Sequence, residues 1–570
     1  MIHPHRWLLV LVLIVLFSSG FARAQQTAPK PDKEEIAAAR EKAFKLLESV
    51  ADQLNTLQSR ENRARIGSNL VGSLWKHDEE RARSLLRLVQ EEIRLELQKT
   101  ERPPTENARY GVFVRLRHDT VERVAKHDAE AALEFLKLTG PLDEEQTPYD
   151  LRDSERALEL RLAKQAAADN PDVALKLGRQ ALERGLTRDL IALVWRMNRK
   201  HRPQAQILYK EIVEKLRGAD FVNDWNIKYF AQQLVQGFQP PEADAATYRE
   251  LVGVFVTNAL NNNCGNKLSD EDPWAGFCYW IVSSVRDIEK FDSRAVRLRH
   301  WKQDSDGESY SMALPYEAVD ELVKEDAIED LEALALKHPN MQPIIYQRLI
   351  QQAREDGDFQ KARKYIERYV PDADRQRELL RELDEEKKWL TVNEERMAQI
   401  QTRLAETPDP RQQVWFLAMT ANMFGLRDRN AALKLLNQAT GIVDTMTPGK
   451  KQTESRLMLA VLYCYEKSDR GFAIMESVVP KLNELVDTAA KLDGYDTNYL
   501  RDGEWNMSAN GSVGELLTNL SNTAPIFAWF DFDRAVSLSS QFERPEIRMM
   551  AHLKLAQGIL AGPPKRVVQD

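Results

Sequence analysis

The feature that most constrains this chain is an apolar pattern with helical spacing that runs along most of its length. The first stretch that shows it contains Ile36, Ala39, Ala43, Leu46, Leu47, Val50 and Leu54. Residues three and four positions apart share one face of an α-helix, so this spacing is typical of a helix that buries one side. Alternation with a period of two, which a half-buried strand needs, is nearly absent. The sequence therefore predicts an all-α fold with few or no strands.

A second recurring feature is the join between one helical stretch and the next. The polar turn that begins at His77 is followed five residues later by Ala82, and apolar residues resume three or four positions further on. A small alanine at this point lets two antiparallel helices approach closely just after the turn. Similar joins are centred on Ala132, Ala174, Ala205, Ala362, Ala432, Ala473 and Ala535. They predict irregular antiparallel helical-hairpin repeats stacked as an α-solenoid.

One of these joins matches a known repeat. The matching residues are Tyr346, Leu349, Gly357, Phe359, Ala362, Ile366 and Pro371. They resemble a tetratricopeptide repeat over about 35 residues, one repeat's length. Ile350 and Ala353 stand where that repeat has Gly and Tyr. The resemblance implies a right-handed solenoid of helical hairpins with a concave binding face and no enzymatic activity.

The first 24 residues have the organisation of a secretory signal peptide. Arg6 precedes an apolar run from Trp7 to Phe17, and Ala22-Arg23-Ala24 forms an A-x-A cleavage site. The run is much shorter than the roughly 20 residues that span a bilayer. We expect cleavage after Ala24 and a periplasmic or secreted product that has no membrane span.

Lapses in the helical pattern predict how the remainder is divided. Beyond the signal peptide we expect a disordered tether at 25–35, an N-terminal helical-repeat half at 36–262, an irregular insert at 263–316, a C-terminal helical-repeat half at 317–562 and a tail at 563–570. The longest lapses cover residues 261–274, 303–315 and 493–514. Irregular stretches of this length are often functional loops.

Composition and motifs narrow the function. The 570 residues include 80 Lys and Arg against 88 Asp and Glu, a net charge of −8, and no basic arm of the kind that binds nucleic acid. The sequence lacks the spacings of zinc proteases, P-loop enzymes, dinucleotide-binding enzymes and serine hydrolases. Asp304 to Glu308 alternates carboxylates, but Ser309 stands where a calcium loop needs glycine. No catalytic, cofactor-binding or metal-ligating residue is predicted.

Three cysteines are present, and two of them flank an irregular segment. Cys264 and Cys278 are 14 positions apart, and an exported chain is free to form disulfides. A bridge between them would stabilise the fold by about 3 kcal/mol, since it restricts the unfolded chain. The alternative is two free thiols, with Cys278 buried among aromatic residues. Cys464, in an apolar helix, is predicted to be a core residue.

One basic row stands out from the acidic background, and it consists of Arg286, Lys290, Arg294 and Arg297. If one α-helix continues through all four, they lie along one face, where they would meet an acidic peptide or an anionic glycan. We therefore consider the row a candidate partner-binding site. The alternative is a solvated face that is paired with acidic neighbours such as Asp287, Glu289 and Asp292.

These observations favour an exported, non-enzymatic helical-repeat protein that binds a protein or peptide partner. The alternative is an envelope-polymer or carbohydrate-active enzyme on a helical toroid, with its catalytic residues drawn from distant helices. Glu454-Ser455 invites comparison with lytic transglycosylases, although the glycine-rich substrate-binding sequence of those enzymes is missing. A structural spacer is a third interpretation. Clustered aromatic residues on a surface would favour binding, and acids that converge in a deep pocket would favour catalysis.

Overall fold

A computed structural model describes residues 33–99, 107–140, 158–301 and 342–564, with short gaps, together with residues 319, 331, 335 and 336. The gaps are at 159, 168–169, 222, 242, 267–274, 286, 356, 390–391, 426–427, 496 and 509–510. The expected signal peptide, most of the tether, the loop 303–315 and Arg286 therefore lie outside the described residues. Parts of the loop 261–274, of the loop 493–514 and of the tail also lie outside them.

α-Helices form nearly all the regular structure in the described part of the chain. Up to residue 301 they are Lys33–Gln53, Arg60–Leu74, Glu79–Leu97, Asn107–Ala125, Ala129–Leu138, Pro171–Arg184, Arg188–Lys200, Arg202–Leu216, Trp225–Gly237, Ala245–Asn261 and Ala275–Ser284. Beyond it they are Gln342–Glu355, Phe359–Tyr369, Ala373–Trp389, Glu394–Ala405, Pro410–Phe424, Arg429–Thr445, Lys450–Lys491, Ser512–Phe530, Phe532–Ser539 and Pro545–Ala561. The 3-10 segments are Leu54–Thr56, Ile288–Lys290 and Ser293–Trp301, and the strands are Leu500–Arg501 and Glu504–Trp505. The predicted all-α fold of the α-solenoid class is confirmed.

Six of the eight recurring joins begin with a side chain that caps the next helix. The carboxylate of Asp78 accepts a hydrogen bond from the backbone N–H of Arg81 at 2.9 Å, and Ala82 is fully buried. The cap satisfies an N–H group that the first helical turn leaves unpaired. The same pairing of a capping residue with a buried alanine recurs at Asp128 and Ala132, Asn170 and Ala174, Asp358 and Ala362, Asp428 and Ala432, and Asp531 and Ala535.

The join predicted around Ala473 is wrong in detail, because that alanine is exposed. The helix Lys450–Lys491 instead bends sharply at Lys467, where the backbone is not helical (φ −156°, ψ 84°). Gly471 permits the bend, since a Cβ atom there would lie 2.6 Å from the carbonyl oxygen of Ala460. Glycine therefore has the role at this join that alanine has at the others.

The segment that resembles a tetratricopeptide repeat is a helical hairpin. Its helices, Gln342–Glu355 and Phe359–Tyr369, are joined at Gly357. Phe359, Ala362 and Ile366 of the second helix are buried, as the repeat pattern requires.

The described residues divide into two compact units. Unit 1 combines residues 1–123, 135–146 and 350–570, and unit 2 combines residues 124–134 and 147–349. This division does not coincide with the two halves expected from the sequence, because unit 1 contains helices from both ends of the chain.

In unit 1 the first described helix packs against the last. Lys33–Gln53 lies along Pro545–Ala561, and the second helix, Arg60–Leu74, contacts the last helix as well. The side-chain amide of Gln557 donates hydrogen bonds to Asn69 Oδ1 at 3.3 Å and to Ser73 Oγ at 3.1 Å. Buried side chains and hydrogen bonds thus connect helices that are almost 500 positions apart.

A short β-hairpin strengthens this connection. Its strands are antiparallel, and its turn residues Asp502 and Gly503 both have positive φ, as a two-residue hairpin turn requires. The Glu504 carboxylate accepts hydrogen bonds from the backbone N–H groups of Gln58 at 2.6 Å and Ser59 at 3.1 Å. Part of the loop 493–514 is therefore a structural clamp that holds the residues immediately before the second helix.

In unit 2 the helices alternate between two layers. One layer consists of Pro171–Arg184, Arg202–Leu216 and Ala245–Asn261, and the other of Arg188–Lys200, Trp225–Gly237 and Ala275–Ser284. Each of these helices contacts the next helix of its own layer. This is the packing that stacked antiparallel hairpins produce.

Candidate binding surfaces

Exposed aromatic side chains mark two adjacent helices of unit 2. Trp225 exposes 74% of its surface, and Tyr229, one turn later on the same helix, exposes 36%. Tyr279, on the neighbouring helix Ala275–Ser284, exposes 40%. We call these three side chains the aromatic surface.

Local structure explains why Trp225 lies outside the core. It is the first residue of its helix, and the start of that helix is fixed by Asp224, whose carboxylate accepts a hydrogen bond from the N–H of Asn226 at 2.8 Å. The opposite side of the helix buries Phe230 and Leu234. The cap and the buried side together hold the tryptophan on the solvent side of the first turn.

Two contacts hold the helices of the aromatic surface side by side. The indole N–H of Trp280 donates a hydrogen bond to Gln232 Oε1 at 3.1 Å. Lys228 Nζ lies 5.4 Å from the centroid of the Phe277 ring, within the range of a cation–π contact. The aromatic surface therefore lies on two packed helices and not on a loop, so little further ordering is needed for it to bind.

The two cysteines that were considered as a disulfide pair lie together, next to the aromatic surface. Cys278 lies on the helix of Tyr279, and Cys264 follows the helix Ala245–Asn261. They are joined by a disulfide with a Cα–Cα distance of 5.4 Å. Cys464 is a free, buried cysteine, and burial raises the pKa of its thiol above the usual range.

The basic row does not lie on one α-helix. Arg286 is outside the described residues, and Lys290 ends a 3-10 segment that begins after Asp287, whose φ of 54° is left-handed. Arg294 and Arg297 lie on a second 3-10 segment, Ser293–Trp301. The described members of the row therefore do not share one α-helical face.

Two described members of the row are paired with acidic side chains. Lys290 pairs with Asp287 at 2.8 Å and Arg294 pairs with Asp292 at 2.6 Å. The hydrogen bond from Arg294 lowers the pKa of the Asp292 carboxyl below its usual value. These ion pairs match the alternative interpretation of a solvated, paired face, while a partner contact at the row stays a prediction.

Glu454, which was considered as a catalytic residue, is held in ion pairs. The Glu454 carboxylate pairs with Arg411 at 2.7 Å and with Lys450 at 3.8 Å. Across the described ranges, no three His, Cys, Asp or Glu side chains are grouped so as to hold a metal ion. The segment Asp304 to Glu308, whose spacing does not complete a calcium loop, lies outside those ranges.

None of the described helices is both long and apolar enough to cross a membrane.

Comparisons with known proteins give no family. No family model matches the chain, and no curated protein matches it. Among solved structures, the chain is similar to a "circular tandem repeat protein with novel repeat topology and enhanced subunit contact surfaces", with 13% identity and a TM-score of 0.15. The match covers 93% of this chain and 99% of that one. The fold class therefore rests on the helices themselves.

Proposed function

We propose that this protein is an exported, non-enzymatic helical-repeat protein that binds a protein or peptide partner through the aromatic surface of unit 2. The observation that carries the proposal is the exposure of Trp225, Tyr229 and Tyr279 on two packed helices. Tryptophan and tyrosine are enriched at the centres of protein interfaces, where a few such side chains supply most of the affinity. Covering roughly 150 Å² of one such ring contributes about 4 kcal/mol before the costs of association.

The repeat architecture supports the same function. Stacked helical hairpins present extended surfaces, and binding is what such arrays commonly do. The hairpin at 346–371, similar to a tetratricopeptide repeat, supports an interaction role in the same way. The enzymatic alternative has less support, since Glu454 is held in ion pairs with Arg411 and Lys450.

Export is part of the proposal and is supported by the sequence of the first 24 residues. The Cys264–Cys278 disulfide fits a periplasmic or extracellular protein, because disulfides persist in oxidising compartments. In the basic row, Lys290 and Arg294 would add a contact for an acidic segment of the partner only by exchanging their present ion pairs with Asp287 and Asp292.

The experiment replaces the aromatic surface and asks whether the partner is lost. Purified wild-type protein and the double variant Trp225→Ala/Tyr229→Ala are used to capture proteins from envelope extracts of the source cells, and the captured proteins are identified by mass spectrometry. The matched control is Trp415→Ala, which removes a tryptophan of 42% exposure from unit 1. We expect the double variant to lose at least about tenfold of the capture, since hot-spot side chains contribute 2 kcal/mol or more.

The far-UV spectrum of the double variant should match that of the wild type, because both substituted side chains are exposed. A partner that the double variant captures as well as the wild type does would contradict the proposal. So would equal losses in the double variant and in Trp415→Ala.

A further inference from the structure

A separate set of side chains lies in unit 1 where three helices meet. Arg65 is on the second helix, Arg123 is near the end of Asn107–Ala125, and Lys554 is on Pro545–Ala561. We call these three residues the cationic cluster. They come from the start, the first quarter and the end of the chain, so only the packing of unit 1 brings them together.

Hydrogen bonds position the last helix against the second one beside the cluster. Gln557 follows Lys554 by three residues, and Asn69 follows Arg65 by four, so each lies about one turn further along its helix. The amide of Gln557 donates to Asn69 Oδ1 at 3.3 Å, and the amide of Asn69 donates to the carbonyl oxygen of Arg65 at 2.8 Å. The turn that contains Lys554 is thereby held against the second helix, and the charge of Arg65 acts on the Lys554 ammonium.

The third helix is fixed by a buried hydroxyl. Ser68, which is fully buried on the second helix, accepts hydrogen bonds from Thr120 Oγ1 at 2.8 Å and from Arg123 Nη1 at 3.2 Å. The guanidinium of Arg123 therefore lies within one helical turn of Arg65, and both charges act on Lys554.

The acidic groups in this region, Glu61, Asp119 and Glu122, act on Arg65 and Arg123, and none of them is paired with Lys554 among the described residues. The buried carboxylate of Glu61 is shared, because it pairs with both Arg65, at 2.8 Å, and Arg501. Arg65 also has a buried Nε atom with no hydrogen-bond partner among the described residues. Asp119 lies 3.9 Å from Arg123 and is about half exposed, so water weakens its effect.

Lys554 has neither an ion pair nor a hydrogen bond within the part of the chain that the structure describes. Burial lowers the pKa of its ammonium, and the charges of Arg123 and Arg65 lower it further. Burial is also the main cause that lowers the pKa of Arg123, with a contribution from Arg65. Cations that are partly removed from water and repel one another are destabilising unless an anion joins them.

We propose that the cationic cluster is a binding site for a phosphate group, either free phosphate or a phosphomonoester. The cluster contains donors from three neighbouring helices, and a phosphate group presents oxygens in several directions, so it can accept from more than one of them at once. A carboxylate has two oxygens in one plane and cannot serve three such donors equally well. This site is in unit 1 and does not depend on the aromatic surface or on its partner.

The test is calorimetric titration of the full chain with inorganic phosphate, with glycerol phosphate as a small monoester, and with acetate at matched ionic strength. The variant is Lys554→Met, which keeps the length of the side chain and removes its charge. The matched control is Lys451→Met, the same change at an exposed lysine of Lys450–Lys491. We expect saturable phosphate binding to the wild type and to the control, and binding at least about tenfold weaker to Lys554→Met.

A second measurement on the wild type does not depend on whether the variant folds. Acylation of lysines by a water-soluble reagent is followed by mass spectrometry with and without phosphate. We expect phosphate to slow the acylation of Lys554 and to leave Lys451 unchanged, since a bound anion covers the amine and favours its protonated, unreactive form.

Each outcome of these experiments either supports or contradicts the proposed phosphate site. Binding of both phosphate and glycerol phosphate identifies the free anion as sufficient, and binding of the monoester alone identifies a phosphorylated molecule as the ligand. The proposal fails if no phosphate compound binds up to about 10 mM, if acetate binds as tightly as phosphate, or if Lys554→Met binds phosphate like the wild type. It fails as well if the phosphate compound that binds leaves the acylation of Lys554 unchanged.

Discussion

Two identical substitutions, Gly558→Ala and Gly441→Ala, should change stability in opposite directions. Both glycines lie inside helices, where alanine is favoured over glycine by about 1 kcal/mol. At Gly441 a Cβ atom would meet no atom within 4 Å, so only this gain remains. Gly441→Ala should therefore stabilise the protein by about 0.5–1 kcal/mol.

At Gly558 the same atom meets the neighbouring helix. A Cβ there would lie 2.5 Å from the Cα, 2.7 Å from the Cβ and 2.8 Å from the carbonyl oxygen of Pro525, where ordinary contacts begin at 3.4 Å. These are backbone and ring atoms of Ser512–Phe530, so no flexible side chain can move aside. Overpacking of this kind costs about 3 kcal/mol, and after the helical gain Gly558→Ala should destabilise unit 1 by about 2 kcal/mol.

Hydrogen exchange measured by mass spectrometry on the peptides 512–530 and 545–561 tests this difference. We expect Gly558→Ala to lose protection against exchange in both helices. The reason is that the helices must move apart, which also lengthens the 2.7 Å hydrogen bond from the Trp529 indole to the Gly558 carbonyl. Gly441→Ala should leave both peptides at least as well protected as they are in the wild type. If Gly558→Ala were as well protected as Gly441→Ala, these two helices would not be packed as closely as described, and the reasoning would be refuted.

Two further predictions concern the clamp and the cysteines. Burial, the largest influence, raises the pKa of Glu61, but Arg65, Arg501 and the Ser508 hydroxyl together lower it below its ordinary value of 4.5. Its contribution to stability is therefore present above pH 4.5 and is lost as the pH falls through the lower, folded pKa. Glu61→Gln should lower the free energy of unfolding in urea by about 3 kcal/mol at neutral pH, and the difference from wild type should narrow in acid. The exposed control Glu91→Gln should change the free energy of unfolding little. A difference between Glu61→Gln and wild type that is independent of pH would contradict this assignment. Peptide mapping of unreduced protein from its native source should find Gln25 as the first residue, Cys264 linked to Cys278 and Cys464 alkylated only after unfolding; recovery of alkylated Cys264 and Cys278 would rule out the bridge in the native protein.

The features that could be predicted from the sequence are local ones. An Asp that caps a helix and an Ala four residues later, as at Asp428 and Ala432, leave a readable pattern because both act within one turn of the chain. Cys264 and Cys278 are close in sequence, so their proximity follows from a short irregular segment. The basic row is harder to interpret, because a left-handed residue such as Asp287, which precedes the 3-10 segment Ile288–Lys290, leaves no obvious pattern in the sequence.

Features that depend on distant packing could not be predicted. The periodicity of Lys33–Gln53 shows that one face is buried but not that its neighbour is Pro545–Ala561. Arg65 and Lys554 each look like an ordinary charged position on an amphipathic helix, and nothing in one sequence indicates that they meet. Trp225 likewise fits the helical pattern, and its exposure depends on which side of the helix its neighbours cover.

The contact between the first and last described helices determines when unit 1 can fold during synthesis. Hydrogen bonds from Gln557 to Asn69 and Ser73 span 488 and 484 positions, so they cannot form until the helix Pro545–Ala561 has left the ribosome. Until then the apolar face of Lys33–Gln53, including Ala43, Leu47 and Val50, lacks the surface that buries it. Unit 2 is nearly continuous in sequence and needs no such wait, so folding should begin in the middle of the chain and finish where its ends meet.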